Sequence, residues 1–264
     1  MLHFQSPPQG LVEGWFAVLG AAMGSFLNVV AYRVPRHLSL IQNSSCQACG
    51  KPVAPWENIP IVSWAALRGL CSGCKSPIGS RYVLAEAIAA ALYAAGAWKF
   101  SVTWTLVAYL ILASALLVIT LTDLDLMLVP DAISIPVTAA GIVTALLAWW
   151  TGIVLFVANP LIAVAAAAAG YGFFWLIDQM ALWIKGVHGI GRGDMKAAAM
   201  IGAWLGPTLL MESIAGAIFM GAGVGIIAIL AGRSRSARMP FAPMLASGAV
   251  LTALLPHWLF SWLQ

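Results

Sequence analysis

Charge is what this sequence lacks. Only 8% of its 264 residues are Asp, Glu, Lys or Arg, and just nine are acidic, where a soluble domain carries about a quarter charged residues. With 62% apolar residues and a mean hydropathy of +0.94, this scarcity excludes a disordered chain and points to an all-α polytopic membrane protein. Other absences narrow the chemistry. There is no H-E-x-x-H, which argues against a zinc protease, and no G-x-S-x-G elbow, which argues against a serine hydrolase. No glycine-rich loop follows a strand pattern, so a Rossmann-type nucleotide site is not expected. His3, His37 and His257 form no metal spacing. The first apolar segment is long and has an acidic rather than a basic flank, so it is expected to remain as an uncleaved span.

A helix needs about 20 apolar residues to cross a bilayer. About eight candidate segments result, at 11–32, 82–98, 103–122, 132–150, 155–177, 195–211, 213–232 and 241–263, with the sixth and seventh divided near Glu212. The alanine run at 163–169 suits close helix packing rather than lipid contact. Basic residues then orient the chain. Arg33, Arg36, Lys51, Arg68, Lys75 and Arg81 flank or lie in the first loop, Lys185, Arg192 and Lys196 belong to the loop between segments five and six, and Arg233, Arg235 and Arg238 to the loop before the last. With eight spans all three loops share one side, expected to be cytoplasmic, and only Lys99 falls on the other. Both termini then lie outside. The net charge of +4 is a topological bias with attraction to anionic lipid, not a nucleic-acid footprint. Trp98, Trp149, Trp150, Trp204, Trp258 and Trp262 lie near segment ends and read as interfacial anchors.

The expected organisation is a first transmembrane helix at 1–33, a polar cytoplasmic loop at 34–81, and a seven-helix membrane domain at 82–264. The loop holds all four cysteines, as C-x2-C at Cys46 and Cys49, a gap of 21 residues, and C-x2-C at Cys71 and Cys74. Two such knuckles complete a tetrahedron of thiolates around a structural zinc ion. The gap is slightly longer than usual for a zinc ribbon. Gly50 and Gly73 suit the tight turns. Two disulfides or free thiols are the alternatives, and disulfides fit poorly with a cytoplasmic loop.

The acids pose the functional question. Asp123, Asp125 and Asp131 lie just past the third segment and Asp194 opens the sixth, so they can face one another at one membrane depth. Two readings stay open. Interfacial acids cap helices: Asp131 follows Pro130 in an N-cap position, Asp194 could cap the sixth segment, and Asp125 is read as solvated. Alternatively, two facing carboxyls hydrolyse a peptide, one taking a proton from water and the other donating to the scissile carbonyl. In "GIGRGDMK" the glycines at 189, 191 and 193 could leave backbone room for an extended peptide beside Asp194.

Five stretches, in this order, resemble the type IV prepilin peptidases, bifunctional leader peptidases and N-methyltransferases of the GxGD aspartyl membrane protease group. They are "GSFLNVVAYRVPR" at 24–36, the C-x2-C pair around "PWENIPIVSW", "DLDLMLVPD" at 123–131, "GIGRGDMKAAAMIGAWLG" at 189–206 and "MPFAPMLASGA" at 239–249. The resemblance implies a catalytic dyad of Asp123 and Asp194, rather than Asp125 or Asp131, with Gly191, Gly193 and Lys196 as supporting residues. It implies cleavage of the basic leader of a prepilin or pseudopilin at the cytoplasmic face of a bacterial inner membrane. Methylation of the new N-terminus from S-adenosylmethionine would follow. No residue is assigned to the methyl donor. Leu70 stands where many relatives carry Lys, and Ala242 where Gly is common, the latter a change expected to be neutral. Glu57 and Glu86 are candidates to hold the leader's positive charge, although Glu57 reads equally as a solvated loop acid. His188 is expected to be a loop histidine at headgroup level.

Two rival functions remain. A transporter or channel would use intramembrane acids for ion passage, with those acids near mid-bilayer and between repeats. A membrane-anchored zinc-ribbon adaptor would explain the cysteines and leave the acids without a role.

Overall fold

The computed structural model describes residues 8–232 and 239–255. Arg233, Arg235, Arg238, His3, His257, Trp258, Trp262 and the end of the last expected segment lie outside the described residues.

Among the described residues every regular element is helical, and the strand-like pairings are the isolated bridges Ser45↔Pro52 and Leu70↔Pro77. The helices are α1 (Gln9–Arg33), the short α2 (Val62–Ala66), α3 (Ser80–Phe100), α4 (Trp104–Leu126), α5 (Asp131–Thr151), α6 (Pro160–Lys185), α7 (Arg192–Leu230) and α8 (Ala242–Leu254). Six of them, α1 and α3 to α7, are long and apolar enough to cross a membrane. Their ends carry local signals. Thr103 caps α4 by accepting the Leu106 N–H, and Asn159 caps α6 by accepting from Leu161 at 2.9 Å, with Pro160 as first helical residue. Gly152 and Gly186, both with positive φ, end α5 and α6.

The chain forms two units, 1–102 and 103–264. In the first, α1 and α3 meet backbone to backbone: a Cβ at Gly20 would lie 2.5 Å from the Ala89 carbonyl oxygen. In the second, α6 and α7 do the same. A Cβ at Gly202 would lie 2.4 Å from the Ala166 oxygen, and one at Gly170 would lie 2.6 Å from that of Ala198. Ala163, Ala166, Ala167 and Gly170 form the buried stripe of α6, with the helical spacing of a contact face. Small residues are what let helices approach this closely where apolar burial gives no drive between them.

Helix α7 departs from the expected division at Glu212. Its 39 residues break at Gly206, with φ 79° and ψ 179°, followed by Pro207. Proline supplies no N–H and clashes with the preceding turn, and the positive φ suits glycine alone. Glu212 lies inside the second arm and is fully buried. The two arms run in opposite directions. The first packs antiparallel on α6, with Ala198 at Gly170 and Gly202 at Ala166. The second packs antiparallel on α8, with Ser213 at Gly248 and Gly221 beside Phe241 and Met244. Trp204 is no interfacial anchor: it is 3% exposed, and its Nε1 donates to the Val137 oxygen at 2.8 Å. Trp98, Trp149 and Trp150 are exposed at helix ends.

Candidate active site

In the second unit, Asp123 occupies the last turn of α4 and is 6% exposed. Its Oδ2 accepts the backbone N–H of Ala242, the first residue of α8, at 3.0 Å. The stretch 239–249 thus contributes a helix N-terminus to this carboxylate, where a negative charge is favoured. The donor is main chain, and the Ala242 methyl is itself buried.

Asp194 is the third residue of α7, counted from the N-cap Gly191, and is half-buried. Its N–H donates to the Gly191 oxygen at 3.1 Å. The Asp194 carboxylate lies against the same glycine, its Oδ2 3.3 Å from where a Cβ at Gly191 would stand. The first turn of α7 packs on the connection that follows α4, with Gly193 against Val129. The carboxyls at the end of α4 and the start of α7 are therefore neighbours in space. Asp125 is exposed. Asp131 is the first helical residue of α5, behind the N-cap Pro130, and makes no cap bond. Instead it pairs with Lys196, tying the start of α5 to the first turn of α7.

The three glycines do not form one open track. None has positive φ. A Cβ at Gly193 would meet Val129 Cβ and Cγ2 at 2.9 Å, so this glycine permits packing against the α4–α5 connection rather than room for a peptide. At Gly189 a Cβ would meet that of Ala181 at 2.9 Å. Only at Gly191 does the missing Cβ face the carboxylate, 3.3 Å from Asp194 Oδ2.

Sequence reasoning missed Asp178, a buried acid near the end of α6. It accepts the N–H groups of Gly189 at 2.9 Å and Ile190 at 3.1 Å, and its Oδ2 lies 2.8 Å from His188 Nδ1. His188 is thus held to α6, with 63% of its side chain exposed. A charge inside an apolar span is itself a signal of function, and "WLIDQM" displayed one.

In the first unit, the four cysteine sulfurs lie within 4.8 Å of one another. All four thiols are free, and Cys46 Sγ is 3.8 Å from Cys74 Sγ. That is the edge, about 3.8 Å, of a tetrahedron whose centre is about 2.3 Å from each sulfur, the zinc–thiolate distance. Each knuckle is a closed turn. Cys46 N–H donates to the Lys51 oxygen and Cys71 N–H to the Ser76 oxygen, both at 2.9 Å. The left-handed positions are Gly50 and Lys75; Gly73 instead leaves space for Lys51, whose Cδ would sit 3.0 Å from a Cβ there. The thiols divide their protons unequally. The N–H groups of Cys49 and Ala48 draw Cys46 down to about 6. At Cys49 the Lys51 N–H pulls down, but Cys74, burial, Cys46 and Cys71 outweigh it and push the thiol up to about 11. Four such sulfurs cannot all ionise without a cation among them, which is the chemistry of a thiolate metal site.

Neither Glu57 nor Glu86 stands free for a ligand. Glu57 accepts the Ala54 N–H at 3.1 Å and pairs with Lys51 at 3.3 Å, so it is a turn-closing group rather than a solvated acid. Glu86 is buried in α3 and accepts the Ile61 N–H at 2.7 Å, where Ile61 has φ 64°.

Comparison with known proteins gives a consistent result. Residues 18–100 match the family model described as bacterial peptidase A24 N-terminal domain, and residues 110–226 match the one described as type IV leader peptidase family. A protein of Burkholderia pseudomallei (strain 1026b) named prepilin leader peptidase/N-methyltransferase is 35% identical over 276 residues, covering 94% of this chain and 87% of its own. Proteins of the same name from Pseudomonas aeruginosa and Neisseria gonorrhoeae are 35% and 32% identical, each covering 87% of this chain and 85% of their own. No solved structure matches the chain.

Proposed function

The chain belongs to the type IV leader peptidase family, and from that premise we propose that Asp123 and Asp194 are its catalytic pair, acting on the leader of a prepilin or pseudopilin. The protein is an aspartic-type membrane peptidase and a methyltransferase. Membership of this family removes the transporter and adaptor readings. The observation that carries the assignment of the pair is that two carboxyls from distant segments, one buried and one half-buried, are brought to the place where α4 ends and α7 begins, with Gly193 packed on Val129 of the α4–α5 connection.

In the proposed reaction one aspartate, ionised, takes a proton from water as the water oxygen attacks the scissile carbonyl carbon. The other, protonated, gives its proton to the carbonyl oxygen. The tetrahedral intermediate then collapses. The C–N bond breaks, the leaving amine takes the proton that came from water, and one hydroxyl of the gem-diol returns its proton to the second aspartate, which leaves a carboxylic acid and restores the pair. Two close carboxyls suit this task because they share one proton readily. Lys196 and Gly193 act at one remove, through Asp131 and Val129. The substrate's apolar helix would remain in the bilayer while its basic leader lies at the cytoplasmic face, the side to which the basic loops assign this site. Methyl transfer from S-adenosylmethionine to the freed amine is the second proposed step. Zinc is the ion we assign to Cys46, Cys49, Cys71 and Cys74. With four protein ligands it would fold the loop and leave no position for substrate. The organisation that goes with this reading is a first span, a cysteine loop at 34–81 and a protease domain beyond it.

Purified enzyme in proteoliposomes with a purified prepilin tests the pair. Asp123→Asn and Asp194→Asn are each expected to lower cleavage by about a hundredfold to ten-thousandfold, at unchanged melting temperature, and Asp125→Asn to be far milder. Wild-type cleavage by either of the first two variants overturns the assignment.

A further inference from the structure

We propose that Asp178 is a positioning residue for Asp194: it holds the segment 188–190 in place and thereby fixes the N-terminal turn of α7 that carries the catalytic carboxyl. This inference rests on the assignment of Asp194 made above.

The segment between α6 and α7 is short of other restraints. Gly186, Val187, His188 and Gly189 are exposed, so burial does not hold them. On one side the segment borders a cavity of about 310 Å³ lined by residues that include Trp175, Asp178, His188, Arg192 and Lys196. Against this open surroundings, one face of α6 supplies the anchors. Asp178 and Ala181 are three residues apart and share that face. Ala181 packs where Gly189 has no Cβ. Asp178 accepts two successive N–H groups, of Gly189 and Ile190, and takes His188 on its other oxygen. Next in the chain is Gly191, the N-cap of α7, whose oxygen accepts the Asp194 N–H at 3.1 Å and whose missing Cβ faces Asp194 Oδ2. A shift of the segment therefore moves the glycine against which the Asp194 carboxylate lies as well as the backbone that carries it. Asp178 touches no reacting atom in this arrangement. Its effect on the reaction passes through the backbone of 189–191.

The test uses the full chain, reconstituted with a purified prepilin carrying its basic leader, in the variants Asp178→Ala, Asp178→Asn, His188→Ala and Asp194→Asn. Misplacing a catalytic group by about 1 Å costs about a hundredfold, so Asp178→Ala is expected to lower kcat by about tenfold to a hundredfold. KM should stay near the wild-type value. The pH profile of kcat is expected to change shape, because the environment of Asp194 changes; loss of folded enzyme would instead lower every point by one factor. Asp178→Asn is expected to recover most of the rate and the original profile, since its amide oxygen still accepts both N–H groups. His188→Ala, which leaves both backbone bonds, should fall between wild type and Asp178→Ala. Wild-type kinetics in Asp178→Ala beside an inactive Asp194→Asn overturns this inference alone. So does an Asp178→Ala profile that superimposes on wild type after scaling while Asp178→Asn is equally impaired. Cleavage by Asp194→Asn would remove the premise and this inference with it.

Discussion

The cysteine loop and the carboxyl pair are both small polar constructions in an apolar chain, and they are assembled in opposite ways. The loop is local. Each knuckle closes on itself within six residues, through Cys46 to Lys51 and Cys71 to Ser76, and two copies of one turn bring four sulfurs together. The carboxyl pair is not local. Asp123 takes its hydrogen bond from Ala242, 119 residues on, and Asp194 depends on the connection from α6. A repeated local turn is specified by spacing alone, whereas a site built across four helices is specified by packing. The first should tolerate change elsewhere in the chain and, if the proposed zinc holds it, fail all at once on removal of that ion. The second should respond in graded fashion to small displacements.

Metal removal gives the largest contrast. Structural zinc contributes about 10–16 kcal/mol of apparent binding energy in zinc-finger peptides. Strong chelation, or Cys71→Ser, should therefore strip hydrogen-exchange protection from the knuckles while α4 to α8 keep theirs. Loss of protection in both regions together would break the contrast. Next in size is Gly193→Ala, which forces a methyl to within 2.9 Å of Val129. Overpacking of this kind costs about 1–3 kcal/mol, and a fall in melting temperature is expected together with slower cleavage. Val129→Ala in the same chain should restore part of both; strictly additive losses would show that the two residues do not share a contact. The smallest effect belongs to Glu57. The Ser72 hydroxyl, the Ala54 N–H and Lys51 hold its carboxyl below the usual range. A carboxyl held down by folding adds stability that is present above its unfolded pKa of about 4.3 and is lost as pH falls through the lower folded value. Wild type and Glu57→Gln should thus differ in loop stability at neutral pH and converge on acidification. A difference that persists in acid would place the role of Glu57 elsewhere.

How far the sequence could be read follows the same division. The helices, the paired C-x2-C knuckles and the acids at helix ends were legible because periodicity, spacing and isolated charge are local properties. The break in α7 was misplaced because a lone Glu212 stands out in an apolar run, although "GP" at 206–207 was the physical breaker. Gly193 was read as substrate space because only the folded chain shows Val129 against it. Lys75, not Gly73, takes the left-handed turn of the second knuckle, as Gly50 does in the first; the fourth position after the leading cysteine was the better guide. Asp178 was overlooked although a lone acid in an apolar run was visible, because only the turn after α6 brings His188 and the N–H groups of Gly189 and Ile190 to it.

The reversal at Gly206–Pro207 bears on how this protein is made. Its two arms are joined with no polar connection between them, so nothing separates them for the machinery that threads a nascent chain into a bilayer. They are expected to enter together as a hairpin, with the groups freed at the tip by the proline finding partners during that entry. A longer, polar linker inserted there would let each arm insert alone, trading a concerted step for two independent ones.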